Sequence, residues 1–128
     1  MYTAITDDVK VSVETFFQES ASRPESNYFV FAYRITIENN SDNTIKLIRR
    51  HWYIADSNGV KREVEGEGVV GQQPVLEPNQ KHQYVSGCDL QTDLGKMYGT
   101  YIMERQVDGT TFTVKIPEFI MVTPNRLN

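Results

Sequence analysis

The chain has 128 residues, 39% hydrophobic and 23% charged, with a net charge of −4. That composition describes a globular chain able to bury its own core, expected as a single domain over residues 1–128, and the acidic balance argues against nucleic-acid or anionic-membrane partners. The one cysteine, Cys88, permits no internal disulfide and suits a reducing compartment.

Alternation with a period of two organises nearly every segment. Val9, Val11 and Val13 alternate with Lys10, Ser12 and Glu14 as a half-buried strand, and a polar loop over 18–27 contains Pro24. Tyr28 to Asn39 places Phe29, Phe31, Tyr33, Ile35 and Ile37 on one face, with Tyr28, Val30, Ala32, Arg34, Thr36 and Glu38 on the other. Asn39 to Asn43 reads as a turn by composition. From Ile45 to Asp56 a strand resumes with two mixed faces, Lys46, Ile48, Arg50, Trp52 and Ile54 against Ile45, Leu47, Arg49, His51 and Tyr53. Asn58-Gly59 marks a tight hairpin that returns as Val60 to Glu65. A long loop then runs over 66–79 with three glycines and two prolines. His82 to Ser86 reads as a short strand and Met97 to Gln106 as a longer one. Asp108-Gly109 turns the chain into Thr111 to Ile116, and Pro117 interrupts before a final run over 119–122.

Seven or eight short strands without an amphipathic helix predict an all-β chain. The expected architecture is an immunoglobulin/fibronectin type III-like antiparallel β-sandwich. Phe29 or Phe31, Ile35, Ile37, Trp52 and Tyr101 are its expected core members.

Gly66-Glu67-Gly68-Val69-Val70-Gly71 spells a dinucleotide fingerprint, but a phosphate-cradling glycine loop needs a helix after it to supply amides and a positive dipole end. Here Gln72-Gln73-Pro74 follows, and Pro78 would sit inside any useful helix. An anion nest of backbone amides is the remaining phosphate reading. Glu63, Glu65 and Glu67 oppose it, since one carboxylate ~5 Å from a phosphate charge costs roughly 3 kcal/mol at an effective dielectric near 20. Lys61 and Arg62 offset part of that. The plainer reading is a wide connection whose glycines supply positive φ.

No metal, catalytic or cofactor residue is assigned. Carboxylates two apart on a strand lie ~6.7 Å apart along it, so Glu63, Glu65 and Glu67 cannot all converge on one cation, and a solvated acidic edge is expected. His51, His82, Cys88 and Asp89 lack the close spacing of a soft-metal site. Cys88 would serve as a nucleophile only if His51 or His82 approached it in space, and a buried structural thiol is expected instead. Arg49 and Arg50 are expected to point to opposite faces rather than to form a phosphate footprint.

Several blocks together resemble the ApaG family, a domain also found at the end of some eukaryotic F-box proteins. They are Arg50-His51-Trp52, the run from Glu63 to Pro74, Leu76-Glu77-Pro78, Tyr84 to Cys88, Gly95 to Tyr101 and Ile116 to Phe119. The resemblance spans nearly the whole chain, although Asn79 stands where the family often has glycine. It implies a fibronectin-III-like sandwich and, for bacterial members, a loose link to cobalt and magnesium resistance and to a neighbourhood of dinucleoside-polyphosphate hydrolysis. The F-box context implies a module that docks proteins.

No apolar stretch approaches the ~20 residues of a membrane span, and the opening octet lacks the basic start and apolar run of a signal peptide. The expectation is a cytoplasmic, non-catalytic binding module with an unidentified protein partner and no cofactor. Its candidate docking surface is the loop Gly66, Glu67, Gly68, Val69, Val70, Gly71, Gln72 and Gln73. The alternative is a sensor that holds a phosphate-bearing nucleotide on that loop, with affinity no tighter than about micromolar.

Overall fold

The computed structural model describes residues 1–127, and the all-β sandwich is what they form. One antiparallel sheet runs β1 (Tyr2–Thr6), β2 (Val9–Phe17), β3 (Phe29–Asn39) and β7 (Lys81–Leu90) in that spatial order. The second runs β5 (Lys61–Glu67), β4 (Ile45–Asp56), β8 (Leu94–Arg105) and β9 (Thr111–Val122), with the two-residue β6 (Val75–Leu76) also paired to β4. Short 3₁₀ turns occupy Glu19–Ala21, Pro24–Ser26 and Pro124–Leu127, and no α-helix forms among the described residues. Nor is any described helix long and apolar enough to cross a membrane.

Among the described residues the strands number nine rather than seven or eight. β1 carries no clear apolar alternation, because its half-buried face is Tyr2, Ala4 and Thr6 while Ile5 is exposed. It reaches β2 through Asp7 and Asp8, both at positive φ (47° and 62°), the geometry that lets a two-residue turn follow strand twist. β7 is twice the predicted length because it continues through Gly87 and Cys88 to Leu90. β9 does not stop at Pro117: its register against β8 shifts there, so proline, with no N–H to donate, occupies a bulge and the strand continues.

The inward faces of both sheets make one core. Val9, Val11, Val13, Ile35, Ile37, Trp52 and Tyr101 are buried, as is Phe31, while Phe29 packs half-buried at the margin. Tyr33, Trp52 and Phe119 form an aromatic triangle with ring centroids 5.6–5.8 Å apart across the two sheets.

The mixed faces of β4 have a local cause. The β4–β8 register slips between Leu47 and Arg49, so Ile48 is the extra residue of a β-bulge. A bulge shifts the inward parity by one. Ile45 and Leu47 therefore point into the core before it, and Trp52 and Ile54 after it.

Candidate functional site

The bulge at Ile48 organises the segment that follows β5. Its carbonyl leaves the ladder and accepts the Gly68 amide at 2.8 Å and the Gln73 side-chain amide at 3.0 Å. Between these anchors Val69 and Gln72 exchange both backbone hydrogen bonds, at 2.8 and 3.0 Å. Val70 and Gly71 span the two bonds with φ of 49° and 75°, the left-handed pair of a type I′ hairpin turn. The chain then returns to β4, where Leu47 donates to the Pro74 carbonyl at 3.0 Å and β6 pairs with Ile45 and Lys46.

The stretch read from sequence as a long loop is therefore a strand end, a small hairpin and a second short strand, all fastened along one edge of β4. Gly66 and Glu67 still belong to β5. Val69 and Val70 do not form one apolar patch. Val69 is 1% exposed and part of the core, whereas Val70 is 63% exposed at the tip. A two-residue turn flips successive side chains, and nothing in their composition distinguishes them.

Arg50 holds the segment from beneath. Its Nη1 donates to the carbonyls of Glu67 at 2.9 Å and Gly68 at 3.0 Å. The guanidinium lies against Gly66, where an added Cβ would sit 2.9 Å from both Nη atoms. Gly68 has a φ of +62°, and a side chain there would overlap the Gln72 carbonyl oxygen. Gly71 also has positive φ but faces open space. Each glycine thus answers a different local demand. Two amides that an anion nest would use, those of Gly68 and Val69, already donate to Ile48 and Gln72. What the segment shows to solvent is Glu67, Val70, Gln72 and Gln73, with a shallow depression of about 320 Å³ lined by Glu67, Gly71, Gln72 and Gln73.

On the outer face of the second sheet the β4–β5 register sets His51 opposite Glu65 and Tyr53 opposite Glu63. His51 Nδ1 lies 2.9 Å from Glu65 and Nε2 3.0 Å from Glu63, and the ring stacks on Tyr53 at 4.6 Å. Among the described residues these three side chains are the group whose ligand atoms converge, all within 4.8 Å. The spacing of the glutamates along β5 does not disclose the histidine that joins them, because cross-strand register is not written in local sequence. In the observed arrangement the two carboxylates take opposite ring nitrogens and are more than half exposed.

Cys88 is 8% exposed, and burial above all pushes its thiol up to about 11. Its Sγ lies 3.6 Å from the Asp89 carbonyl and 4.0 Å from Arg62 Nη2, and among the described residues neither histidine is a hydrogen-bond partner. Arg49 is exposed opposite Glu67 while Arg50 points inward, so the two arginines do take opposite faces. Three tyrosines lie near Arg50. Tyr84 and Tyr101 share a hydroxyl–hydroxyl hydrogen bond, and Tyr33 stands opposite Ser86 across β3 and β7; burial raises all three.

The model of the ApaG domain family matches residues 19–105. Relatives named Protein ApaG from Brucella canis and Brucella anthropi are 48% and 49% identical over 126 residues, covering 98% of this chain and 96% of theirs. A crystal structure from Bordetella pertussis superposes with a TM-score of 0.88 at 41% identity, over 91% of this chain and 94% of that one. A protein from Archaeoglobus fulgidus, at 13% identity and a TM-score of 0.52 over 88% of this chain and 95% of its own, shares the fold alone.

Proposed function

The chain belongs to the ApaG domain family, and on that premise we propose that it is a non-catalytic, single-domain protein-interaction module of the cytoplasm whose docking surface is the hairpin over 66–73. Val70 carries this reading. A β-branched residue at φ 49° is sterically unfavourable, and the side chain is 63% exposed, so it returns little burial to the fold. Asparagine at that position would make the favoured Asn-Gly turn. An apolar residue kept in a strained, solvent-facing tip fits a contact with a partner better than a contribution to stability.

The surroundings support the same reading. Ile48, Arg50 and Gln73 fasten the hairpin before any partner arrives, which lowers the ordering cost of binding. An apolar tip edged by neutral amides and one carboxylate has the mixed character of a protein contact. A phosphate-bearing nucleotide finds less here, because the Gly68 and Val69 amides are engaged and Glu67 stands beside the tip. On this reading any bearing on cobalt or magnesium resistance is indirect, through the partner.

The test replaces Glu67, Val70 and Gln72 together with serine and leaves Val69 in the core. With folding checked by thermal melt, affinity purification from the native cell followed by mass spectrometry should show loss of the co-eluting partners. Retention of every partner by the folded variant overturns the proposal.

A further inference from the structure

The two sheets are closed on one flank and open on the other. β9 leans on β1 and β2, and Lys115 donates its amide to the Thr6 hydroxyl at 3.2 Å. On the opposite flank β5 and β7 are both edge strands, and Arg62 reaches from one to the other through the Asp89 carbonyl and carboxylate. Between them a cavity of about 150 Å³ is lined by Tyr33, Arg50, Trp52, Val64 and Ser86, among others. Val64 points into this gap yet remains 40% exposed, because no strand covers it.

The backbone of β7 is unpaired along the same gap. Gln80 gives its carbonyl to Asn39 on the β3 side, while Asp89 gives its carbonyl to Arg62 on the other. Alternation along an antiparallel strand then turns the N–H and C=O groups of Gln83, Val85 and Gly87 outward, and among the described residues they have no backbone partner. Edge strands are ordinarily blunted by charge, proline or cover. From His82 to Cys88 this one carries no Lys, Arg, Asp, Glu or Pro, and Val85 is 56% exposed on it.

Arg50 supplies a chemical preference at the same place. Its hydrogen bonds to Glu67 and Gly68 both come from Nη1, which leaves Nε and Nη2 without an acceptor among the described residues. Arg50 shares the cavity wall with Ser86. A strand added beside β7 would set the side chain opposite Ser86 into this gap, because directly opposed residues share a face.

We propose that the open flank between β5 and β7 binds an extended peptide of another protein as an added strand on β7, with an acidic side chain of that peptide entering the gap toward Arg50. The partner is chosen by two complementary features, unpaired main-chain groups along Gln83, Val85 and Gly87 and a guanidinium with free donors behind them. The surface is distinct from the hairpin tip, and neither proposal depends on the other.

The probe is the blocked peptide acetyl-Thr-Val-Thr-Glu-Thr-Val-Thr-amide, added to the full chain and followed by amide NMR. Saturable shifts at Gln83, Val85 and Gly87 are expected, with at least about tenfold weaker binding when the peptide Glu is replaced by Gln. N-methylation of the two threonines flanking that Glu should abolish binding with the protein untouched. Gly87→Pro should do the same from the protein side, since a Cβ at Gly87 meets nothing nearer than the Phe31 carbonyl at 3.6 Å. Absence of those shifts at millimolar peptide, or equal binding by the Gln or N-methylated peptide, overturns the proposal. So does a dimer of the free protein in sedimentation that holds these same amides protected from exchange, because the edge would then belong to a second copy of this chain.

Discussion

The guanidinium of Arg50 rests face-on against Gly66, so close that a methyl group at that glycine would stand 2.9 Å from each Nη and 3.0 Å from Cζ. The first glycine of the apparent dinucleotide motif is thus a seat for an arginine, and that arginine ties the next two carbonyls, Glu67 and Gly68, to the sheet. Gly66→Ala should therefore act through Arg50. Displacing the guanidinium costs about 1–3 kcal/mol in lost charge-assisted hydrogen bonds. In urea unfolding, the Gly66→Ala/Arg50→Ala double variant should be no less stable than Arg50→Ala alone. Full additivity would disprove the coupling.

Gly68 and Gly71 both have positive φ but should differ sharply on substitution. Gly68→Ala combines an unfavourable backbone with overlap of the Gln72 carbonyl, for a loss of about 3 kcal/mol. Gly71→Ala meets open space and should lose only about 1 kcal/mol. Chemical denaturation of the two variants side by side checks the order.

Val70→Asn should raise stability by about 1 kcal/mol by relieving the strained φ of 49° and completing an Asn-Gly turn. The same change should weaken partner capture, the opposite sign to its effect on the melt. A variant that is more stable and captures partners undiminished would separate the strain from function.

Asn39 is buried and closes the Asn39–Asn43 turn onto β6. Its Nδ2 donates to the carbonyls of Asn43 at 2.7 Å and Leu76 at 3.0 Å, and its Oδ1 accepts from the Ser41 amide and hydroxyl. Asn39→Ala strands these groups and should cost about 2–4 kcal/mol. Asn39→Asp should be no better, because it removes the donor and aims a carboxylate at two carbonyls. Thermal melts of both variants are the measurement.

Cys88 should resist alkylation near neutral pH, because burial holds its thiol at about 11 against an unperturbed 9.0. At pH 8 about one thiol in a thousand is then ionised, so iodoacetamide labelling should be far slower than in urea. The sign for stability follows. Between 9 and 11 the unfolded chain has released this proton while the native chain retains it, so stability falls as pH rises through that window. Tyr33, Tyr84 and Tyr101, raised above 10.0 chiefly by burial, push the same way at still higher pH. Melts above pH 9 should fall with a gentler slope in Cys88→Ala, and an unchanged slope would remove Cys88 as a contributor.

The period of two in Val9 to Val13 and Phe29 to Ile37 was enough to determine an all-β sandwich and most of its core, because side-chain direction alternates wherever a strand has one buried face. The same local signal failed wherever a single extra residue changed parity. It could not show that Ile48 bulges, that β9 runs on through Pro117, or that Val69 enters the core while Val70 leaves it. The glycine block was legible as unusual but not as a seat for Arg50, since its partner lies 16 residues earlier, on the neighbouring strand. The meeting of His51 with Glu63 and Glu65, and the open flank where Arg50 faces Ser86, likewise arise only from strand register and sheet stacking. Between bulges and turns, local periodicity decides which way each side chain points. Only the tertiary fold decides what it meets there.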